Sequence, residues 1–508
     1  MISRRNLIGT GTAALGLASL TAAPASSGTG RRIHWRRLQR CLKGDLVLPS
    51  DSYYVIARQL ELGQFDEVNP QAVAYCVNAS DVAHSLRFAQ DHDLPVAVRS
   101  GGHSFGGYST TEGLVVDVSR LNAVTVGENT ADIGPGSQNV DVLNALAAHG
   151  MVLGGGGCPT VSSGGFLQGG GFGLLTRPLG MTCDSLVSAE VVLADGRIVT
   201  ASAQENSDLF WALRGGGGGN FGVVTRFTVT PHAGDQMATA ILAFPYDQAV
   251  EVMDGTAQWL VEAPDNIGGG AYLNQPDASP GGPVQTSVMV SMYDGTPEEL
   301  AGEVDRLLAL TGQPIHRQDS ATTYRDLMMT IYGCAELSQD ECNRNEKHPE
   351  GQLTRPAFGL ERTRLSNGPL SGGGWADVLS AFDADRLAGH ARYLDLHMFG
   401  GKANDPARTD TAYVHRDSLL SVNYRVLIED PDGVTDEAVD VATRWVDSGF
   451  AVIDPLSNGE TYQNWMDPAL TDWEVSYYAE NYQRLVQIKN EYDPSRFFDS
   501  PQSIGARG

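Results

Sequence analysis

Three stretches between residues 99 and 219 are built largely of glycine: RSGGHSFGGYS at 99–109, GGGGCPTVSSGGFLQGGGFG at 154–173 and GGGGG at 215–219. Such runs weaken a helix or a strand and favour turns and loops, because glycine loses more conformational freedom on ordering than any other residue. The three stretches therefore read as loops. Backbone without Cβ atoms lets N–H groups come close to a ligand, so three such loops predict a cradle for a large, phosphate-bearing molecule. The alternative is that they only form tight turns. Inside this bare backbone stand one histidine, His103, and one cysteine, Cys158. By residue type alone they read as a solvated loop histidine and a small apolar filler. A Rossmann site is excluded, since no G-x-G-x-x-G opens a helix with an acidic residue about twenty positions on. A Walker A lysine is missing as well.

The intervening sequence predicts short, mixed elements. Residues 72–77 read as an apolar strand, 81–93 as a helix capped by Ser80, and LPVAVRS as a strand running into the first glycine loop. GLVVDVSRLNAVTV and ADIGPGS predict strands, and NVDVLNALAAHG a helix closed by Gly150. SLVSAEVVLADGRIVTAS predicts a hairpin turning at Asp195-Gly196. SDLFWALRGGGGGNFGVVTRFTV gives a helix, a glycine run and a strand. After Pro231 the texture changes. MATAILAFPY, GGGAYLN, VQTSVMVSMYDG and AYVHRDSLLSVNYRVLI read as strands, and 246–263 and 296–312 have helical periodicity. This is the pattern of an antiparallel sheet with helices packed on one face. The expected fold is α+β: a ligand-binding domain over 26–232, an antiparallel-sheet domain over 233–455, and a C-terminal segment, 456–508, of an aromatic loop and a helix that returns to the first.

With 508 residues, 42% hydrophobic and 19% charged, the chain has the composition of a globular protein that buries sizeable cores. The net charge of −26, from 35 basic and 61 acidic residues, argues against nucleic acid as a partner, because no basic stripe is available to neutralise phosphates. The first residues pair Arg4 and Arg5 with a weak apolar run and an Ala23-Pro24-Ala25 cleavage site. This is the form of a twin-arginine export signal over 1–25, which implies secretion of a folded protein and no membrane anchor. Six cysteines show no metal spacing; Cys334 and Cys342 can close a short disulfide loop, and Cys76 reads as a buried strand residue. The segment HRDSLLSVN at 415–423 has its asparagine one residue too late for a kinase catalytic loop and reads as strand.

Taken together and in order, VAVRSGGHSFGGYS, GCPTVSSGGFLQGGGFG, FWALRGGGGGNFGVVTRF and YYAENYQRLVQIKNEYDPSRFF resemble the signatures of the berberine bridge enzyme-like FAD-linked oxidases, which have a PCMH-type FAD-binding fold. The resemblance spans essentially the whole chain after the export signal. It implies bound FAD, attached covalently through His103 at the flavin 8α-methyl and through Cys158 at flavin C6. It places Arg99, Ser100, Gly101, Gly102, Ser104 and Gly107 of the first loop against the cofactor, and Gly157, Val161, Gly164, Gly165, Gly169, Gly170, Gly171 and Gly173 of the second. Gly222, Val224, Tyr478 and Asn481 complete that set. Val161 falls at the family's oxygen gate, where valine goes with oxygen access, so the implied co-substrate is molecular oxygen.

The resemblance also implies a small-molecule substrate: a hydroxyl of a sugar, glycoside or related natural product, oxidised by hydride transfer to flavin N5. The family's Y-x-N-Y-x-D stretch reads YQNWMD here, so Trp465 stands where a catalytic tyrosine is expected. Indole has no acid–base role and only donates a hydrogen bond. Tyr462, Tyr413, Tyr478 and Tyr482 are the candidate bases, each with the alternative of a packed aromatic, and Trp465 a candidate stacking platform. The departure keeps open oxidative ring closure or C–H oxidation of a secondary metabolite, and a flavin-binding protein without turnover.

Overall fold

A computed structural model describes residues 33–370 and 373–505, and from Trp35 on the chain packs as one compact unit. The expected export signal lies outside the described residues. Among the described residues no helix is long and apolar enough to cross a membrane.

The N-terminal half carries two small sheets. In the first, β1 (Asp45–Val47), β2 (Ala72–Tyr75), β3 (Val96–Arg99) and β4 (Leu114–Asp117) lie in the order β1-β2-β4-β3, with β4 parallel to both β2 and β3. Parallel strands need a crossover, supplied by the helix Ala79–Asp91. Its cap is Asn78, whose side chain accepts from the Asp81 amide, rather than the expected Ser80, which already lies in the helix. In the second sheet, β5 (Val124–Val126) and β6 (Ala131–Ile133) pair with each other, and β8 (Leu186–Val192), β9 (Ile198–Ser202) and β10 (Val223–Val229) complete the order β5-β6-β10-β8-β9. The Asp195-Gly196 turn joins β8 to β9 as expected, with Gly196 at φ +78°. A two-stranded ribbon of β7 (Met151–Val152) and β11 (His232–Ala233) ends this half.

The second half is organised by one seven-stranded antiparallel sheet. Its strands are β12 (Gln236–Phe244), β13 (Ile267–Gln275), β14 (Gln285–Tyr293), β15 (His316–Thr323), β16 (Phe358–Ser366), β17 (Ala391–Met398) and β18 (Leu420–Ile428), in the order β15-β12-β14-β13-β17-β18-β16. Successive residues of a strand point to opposite faces. Leu273, Leu394, Leu396, Val422 and Tyr424 point into a large core roofed by helices 249–260, 297–311, 374–383 and 436–453, where Trp375 and Trp445 are buried. The opposite face is polar. Register aligns Tyr272, Asp395 and Asn423 in one row, and Asn274, Tyr393, Arg425 and Glu361 in the next.

Two expectations need correction here. β18 begins at Leu420, so residues 412–419, read from sequence as strand, form a loop that buries Tyr413, His415 and Arg416. Strands β15, β16 and β17 and the helix Asp436–Ile453 were not anticipated; β15 is polar and mostly exposed, which hides its alternation.

The chain end returns to the second small sheet. Leu485 and Ile488 of the helix Tyr482–Tyr492 join Phe210 and Trp211 in its core. The buried Lys489 ammonium, paired with Asp493 at 2.8 Å, donates to the carbonyls of Asn220 and Phe498. That cation ties the end of the third glycine loop to the C-terminal segment.

Candidate functional site

The three glycine loops converge. A Cβ added at Gly101 would sit 2.9 Å from the Ser162 amide nitrogen, and one at Gly164 would sit 2.8 Å from Ser100 Oγ, so the first and second loops touch backbone to backbone. The Gln168 carbonyl accepts from the amides of Gly215 and Gly217, and Gly218 lies against Gly165, which joins the third loop to the second. Gly157 and Gly165 differ from their neighbours. A Cβ at either would meet nothing within 4 Å, and both are exposed; Gly157 precedes Cys158, while Gly165 lies in the short helix Ser163–Gln168, which interrupts the stretch read from sequence as loop.

His103 and Cys158 face each other across Thr160. The threonine hydroxyl is 2.9 Å from His103 Nε2 and 3.6 Å from Cys158 Sγ. The Asn139 amide donates to the Cys158 carbonyl at 2.9 Å and fixes the turn. Glu61 Oε2 lies 3.5 Å from His103 Nε2 and 3.5 Å from Arg344 Nη1, and Arg344 donates to the Leu60 carbonyl. Burial holds His103 below the usual imidazole range, with Glu61 opposing the shift, so the ring is neutral at neutral pH and keeps a nitrogen lone pair. Burial, and then the Glu61 charge, push the Cys158 thiol up. Both groups carry nucleophilic atoms and are joined through the one Thr160 hydroxyl. Arg344 follows the Cys334–Cys342 disulfide loop by two residues, and sequence reading passed over both it and Glu61.

Opposite the loops stands the polar face of the seven-stranded sheet. His397, on β17, makes ring contacts with Phe172 of the second glycine loop (centroids 5.4 Å), with Tyr272 (5.9 Å) and, stacked, with Trp465 (5.5 Å, 28°). Phe172 stacks on Phe399 at 4.3 Å, and Trp465 meets Tyr462 edge-on. Behind this aromatic wall, Asp395 Oδ2 lies 3.9 Å from His397 Nε2 and 3.4 Å from Arg425 Nη2, and Asn423 donates to Glu361. The ring contact between Phe172 of the second glycine loop and His397 of β17 brings the sheet face and that loop together. The alternation of polar residues in LDLHM and SVNYRV was the signal that could have marked this face.

Of the tyrosines put forward as bases, Tyr462, Tyr478 and Tyr482 are engaged through their hydroxyls, and Tyr413 is sealed in the interior with its hydroxyl unpartnered. The Tyr462 hydroxyl accepts from the amides of Gly171 (2.8 Å) and Phe172 (3.2 Å) and from Asn464 Nδ2 (2.8 Å). Tyr413 is fully buried, with its ring against Gly170 and under the Arg416 guanidinium. Tyr478 donates to the Gly216 carbonyl and stacks on Tyr482, whose hydroxyl accepts from Gly505. Burial raises all four hydroxyls above the ordinary phenol range. They hold loops.

Several residues expected at the cofactor also act through the scaffold. Arg99 is spent on Asp117 (2.5 Å) and the Ala57 carbonyl, and Asn481 on the carbonyls of Arg408 and Thr411. Gly222 has no room for a side chain beside Val191, and Val224 is in the core. Gly169 and Gly173 are packed against Asn464 and the Gly155 carbonyl, and Gly107 against the Phe65 ring. Gly171, at φ +80°, turns the loop so that its amide meets Tyr462. Gly102 lies beside Leu60, Ser104 accepts from the Tyr108 amide, and half-buried Val161 gives its carbonyl to the Asn139 amide. Among the described residues no His, Cys, Asp and Glu cluster could hold a metal ion.

Residues 70–202 match the FAD binding domain family model, and 461–505 match the model for berberine and berberine-like proteins. The chain is 28% identical over 474 residues to the uncharacterized FAD-linked oxidoreductase YgaK of Bacillus subtilis, covering 91% of this chain and 97% of that one. It is 26% identical over 463 residues to the carbohydrate oxidase of Microdochium nivale, covering 86% and 88%. The solved structure of wild-type Physcomitrella patens BBE-like 1 superposes with a TM-score of 0.82 at 23% identity, covering 94% of this chain and all of the other, and so has the same fold. Converging glycine loops with exposed backbone at Gly157 and Gly165, and His103 and Cys158 joined through Thr160, fit a large cofactor such as FAD.

Proposed function

The chain belongs to the berberine bridge enzyme-like family of FAD-linked oxidoreductases, and from that premise we propose that it is an oxidase that removes hydride from a hydroxyl-bearing carbon of a sugar, glycoside or related natural product and passes the electrons to oxygen as H2O2. The observation that carries this reading is the pairing of His103 and Cys158 on the one Thr160 hydroxyl. A neutral imidazole and a thiol joined through one hydroxyl suit two covalent links to a single ring. FAD, when bound, supplies the two-electron acceptor.

The chain's own residues do the rest. Gly157 and Gly165 leave room for the ring; His103 and Cys158 fix it in place; Thr160 and Glu61 hold the imidazole. Phe172 and Trp465, backed by Phe399, exclude water and offer ring faces, while the partly exposed Tyr272, Tyr393 and Arg425 offer polar groups to hydroxyls. Such a surface, part aromatic and part polar, suits a sugar ring, which has both characters. Val161, with its short side chain beside Cys158, supports oxygen access. Folded export through the twin-arginine route completes the proposal.

The second reading, ring closure or C–H oxidation of a flat secondary metabolite, is favoured by the indole of Trp465 within that aromatic wall. A peroxide-release screen of the purified holoprotein against oligosaccharides and simple alcohols separates the two. Peroxide from these compounds supports the first. Flavin bleaching only by alkaloid or polyketide compounds supports the second, and no bleaching by any compound leaves a flavin-binding protein.

A further inference from the structure

We propose that His397 is the catalytic base of this enzyme, taking the substrate's hydroxyl proton as hydride leaves the carbon. The inference rests on the alcohol-oxidase reading above.

Three observations carry it. First, His397 stands where the other candidates fail: it is stacked on Trp465, which cannot accept a proton, and is in ring contact with Phe172 of the glycine loop. It therefore lies between the sheet face and the loops that carry His103 and Cys158. Second, among the described residues neither ring nitrogen of His397 makes a hydrogen bond, whereas Tyr462, Tyr478 and Tyr482 spend their hydroxyls on the protein and the unpartnered Tyr413 hydroxyl is fully buried. Its side chain is 21% exposed, enough to meet a ligand. Third, Asp395, 3.9 Å from Nε2, favours the tautomer that keeps the proton on Nε2 and leaves the Nδ1 lone pair as acceptor.

The groups facing the imidazole are Asp395 on its own strand, Arg425 on β18 and Tyr272 on β13; the glycine loop and the 461–467 loop present the rings of Phe172 and Trp465. Burial keeps the ring neutral near pH 7, with Asp395 opposing and Arg425 assisting, so it is ready to accept.

The step balances. The carbinol C–H bond breaks and its hydrogen leaves with two electrons to FAD. The O–H proton passes to Nδ1 and C–O becomes C=O, so the alcohol is oxidised by two electrons. Oxygen then takes up those electrons with the hydride-derived hydrogen and the proton from His397, giving H2O2 and restoring both groups.

The test uses holoenzyme carrying His397→Gln or His397→Ala, with flavin content and melting temperature measured for each. Anaerobic flavin bleaching is followed from pH 5 to 9 with cellobiose and with whichever alcohol of the peroxide screen bleaches the wild type fastest. The wild-type rate falls as pH drops through a limb below 6.5, where the imidazole protonates. In His397→Gln that limb is gone and the limiting rate drops by about 10²–10⁴-fold, with KM changed far less; added imidazole restores part of the rate to His397→Ala. A readout independent of turnover is tryptophan fluorescence. Acid quenching of Trp465 by the protonated ring is seen in the wild type and is lost in both His397→Gln and Trp465→Phe. A folded, flavin-loaded His397→Gln enzyme that bleaches within about threefold of the wild type and keeps the acid limb overturns the inference while leaving the oxidase reading intact. A wild type bleached by no alcohol overturns both.

Discussion

His103 Nε2 lies 2.9 Å from Thr160 Oγ1, and the same hydroxyl reaches the Cys158 thiol, so two residues from separate glycine loops share one anchoring atom. The first prediction concerns what they hold. Each side chain makes its own bond to the cofactor, so His103→Ala and Cys158→Ala each keep the flavin through acid precipitation by the remaining link, and the double variant, which binds it only non-covalently, loses it on precipitation. Acid precipitation followed by peptide mass analysis reads this directly. In the wild type the yellow colour stays with the pellet, on peptides containing residues 103 and 158. Pigment washing out with both side chains unmodified defeats the proposal.

Tyr462 gives a prediction of the opposite kind. Its hydroxyl accepts from two buried loop amides and from Asn464, so Tyr462→Phe leaves those donors unpaired. The expected cost is about 1–3 kcal/mol of stability, with weaker flavin retention because the donors belong to Gly171 and Phe172. The pH dependence of the remaining activity should stay that of the wild type. Loss of one limb of the pH profile in a stably folded Tyr462→Phe enzyme would make the tyrosine a base after all.

The contrast between His103 and His397 shows what the sequence could disclose. His103 is legible because its neighbours are glycines, which favour a loop where backbone can approach a ligand. His397 sits in LDLHM on an ordinary strand, and its role comes from register: β17 pairs with β13 and β18, which sets Tyr272, Asp395 and Arg425 around it. Register between strands far apart in the chain, such as β13 and β17, leaves no local mark. The same holds for Tyr413, whose loop looked like strand because its apolar residues are buried by packing against Gly170 and Gly215 rather than by a ladder. Local grammar, such as the Asp195-Gly196 hairpin and the glycine loops, was readable. Long-range pairing and the commitment of buried hydroxyls were not.

Export supplies a prediction for the segment outside the described residues. If Arg4 and Arg5 are read by the twin-arginine machinery, Arg4→Lys with Arg5→Lys holds the protein in the cytoplasm, with its flavin already attached. Western blotting of culture supernatant against cell lysate, with in-gel flavin fluorescence, distinguishes this from unchanged secretion, which would defeat the assignment.

Glu460 links acid stability to the third glycine loop. Its carboxylate accepts from Arg408 at 2.5 Å and from His415 Nδ1 at 2.7 Å; His415 Nε2 faces Gln463, and Gln463 donates to the Gly215 carbonyl. Burial alone would raise the Glu460 carboxyl, but the His415 and Arg408 contacts outweigh it and bring it down to about 2, against an ordinary 4.5. A folded value below the unfolded one means the stabilisation is fully present above about pH 4.5 and drains away as pH falls toward 2. At 1.36 kcal/mol per unit, the difference amounts to about 3 kcal/mol. Glu460→Gln should therefore be less stable than the wild type by up to that amount at pH 7, with the gap closing between pH 4.5 and pH 2. Other carboxylates titrate in both proteins, so the wild-type-minus-variant difference in urea unfolding isolates this one. A gap that stays constant down to pH 3 would show that Glu460 acts through shape and not through its charge. Because the chain of contacts ends at Gly215, the variant should also release flavin more readily on mild acidification when the His103 and Cys158 links are removed.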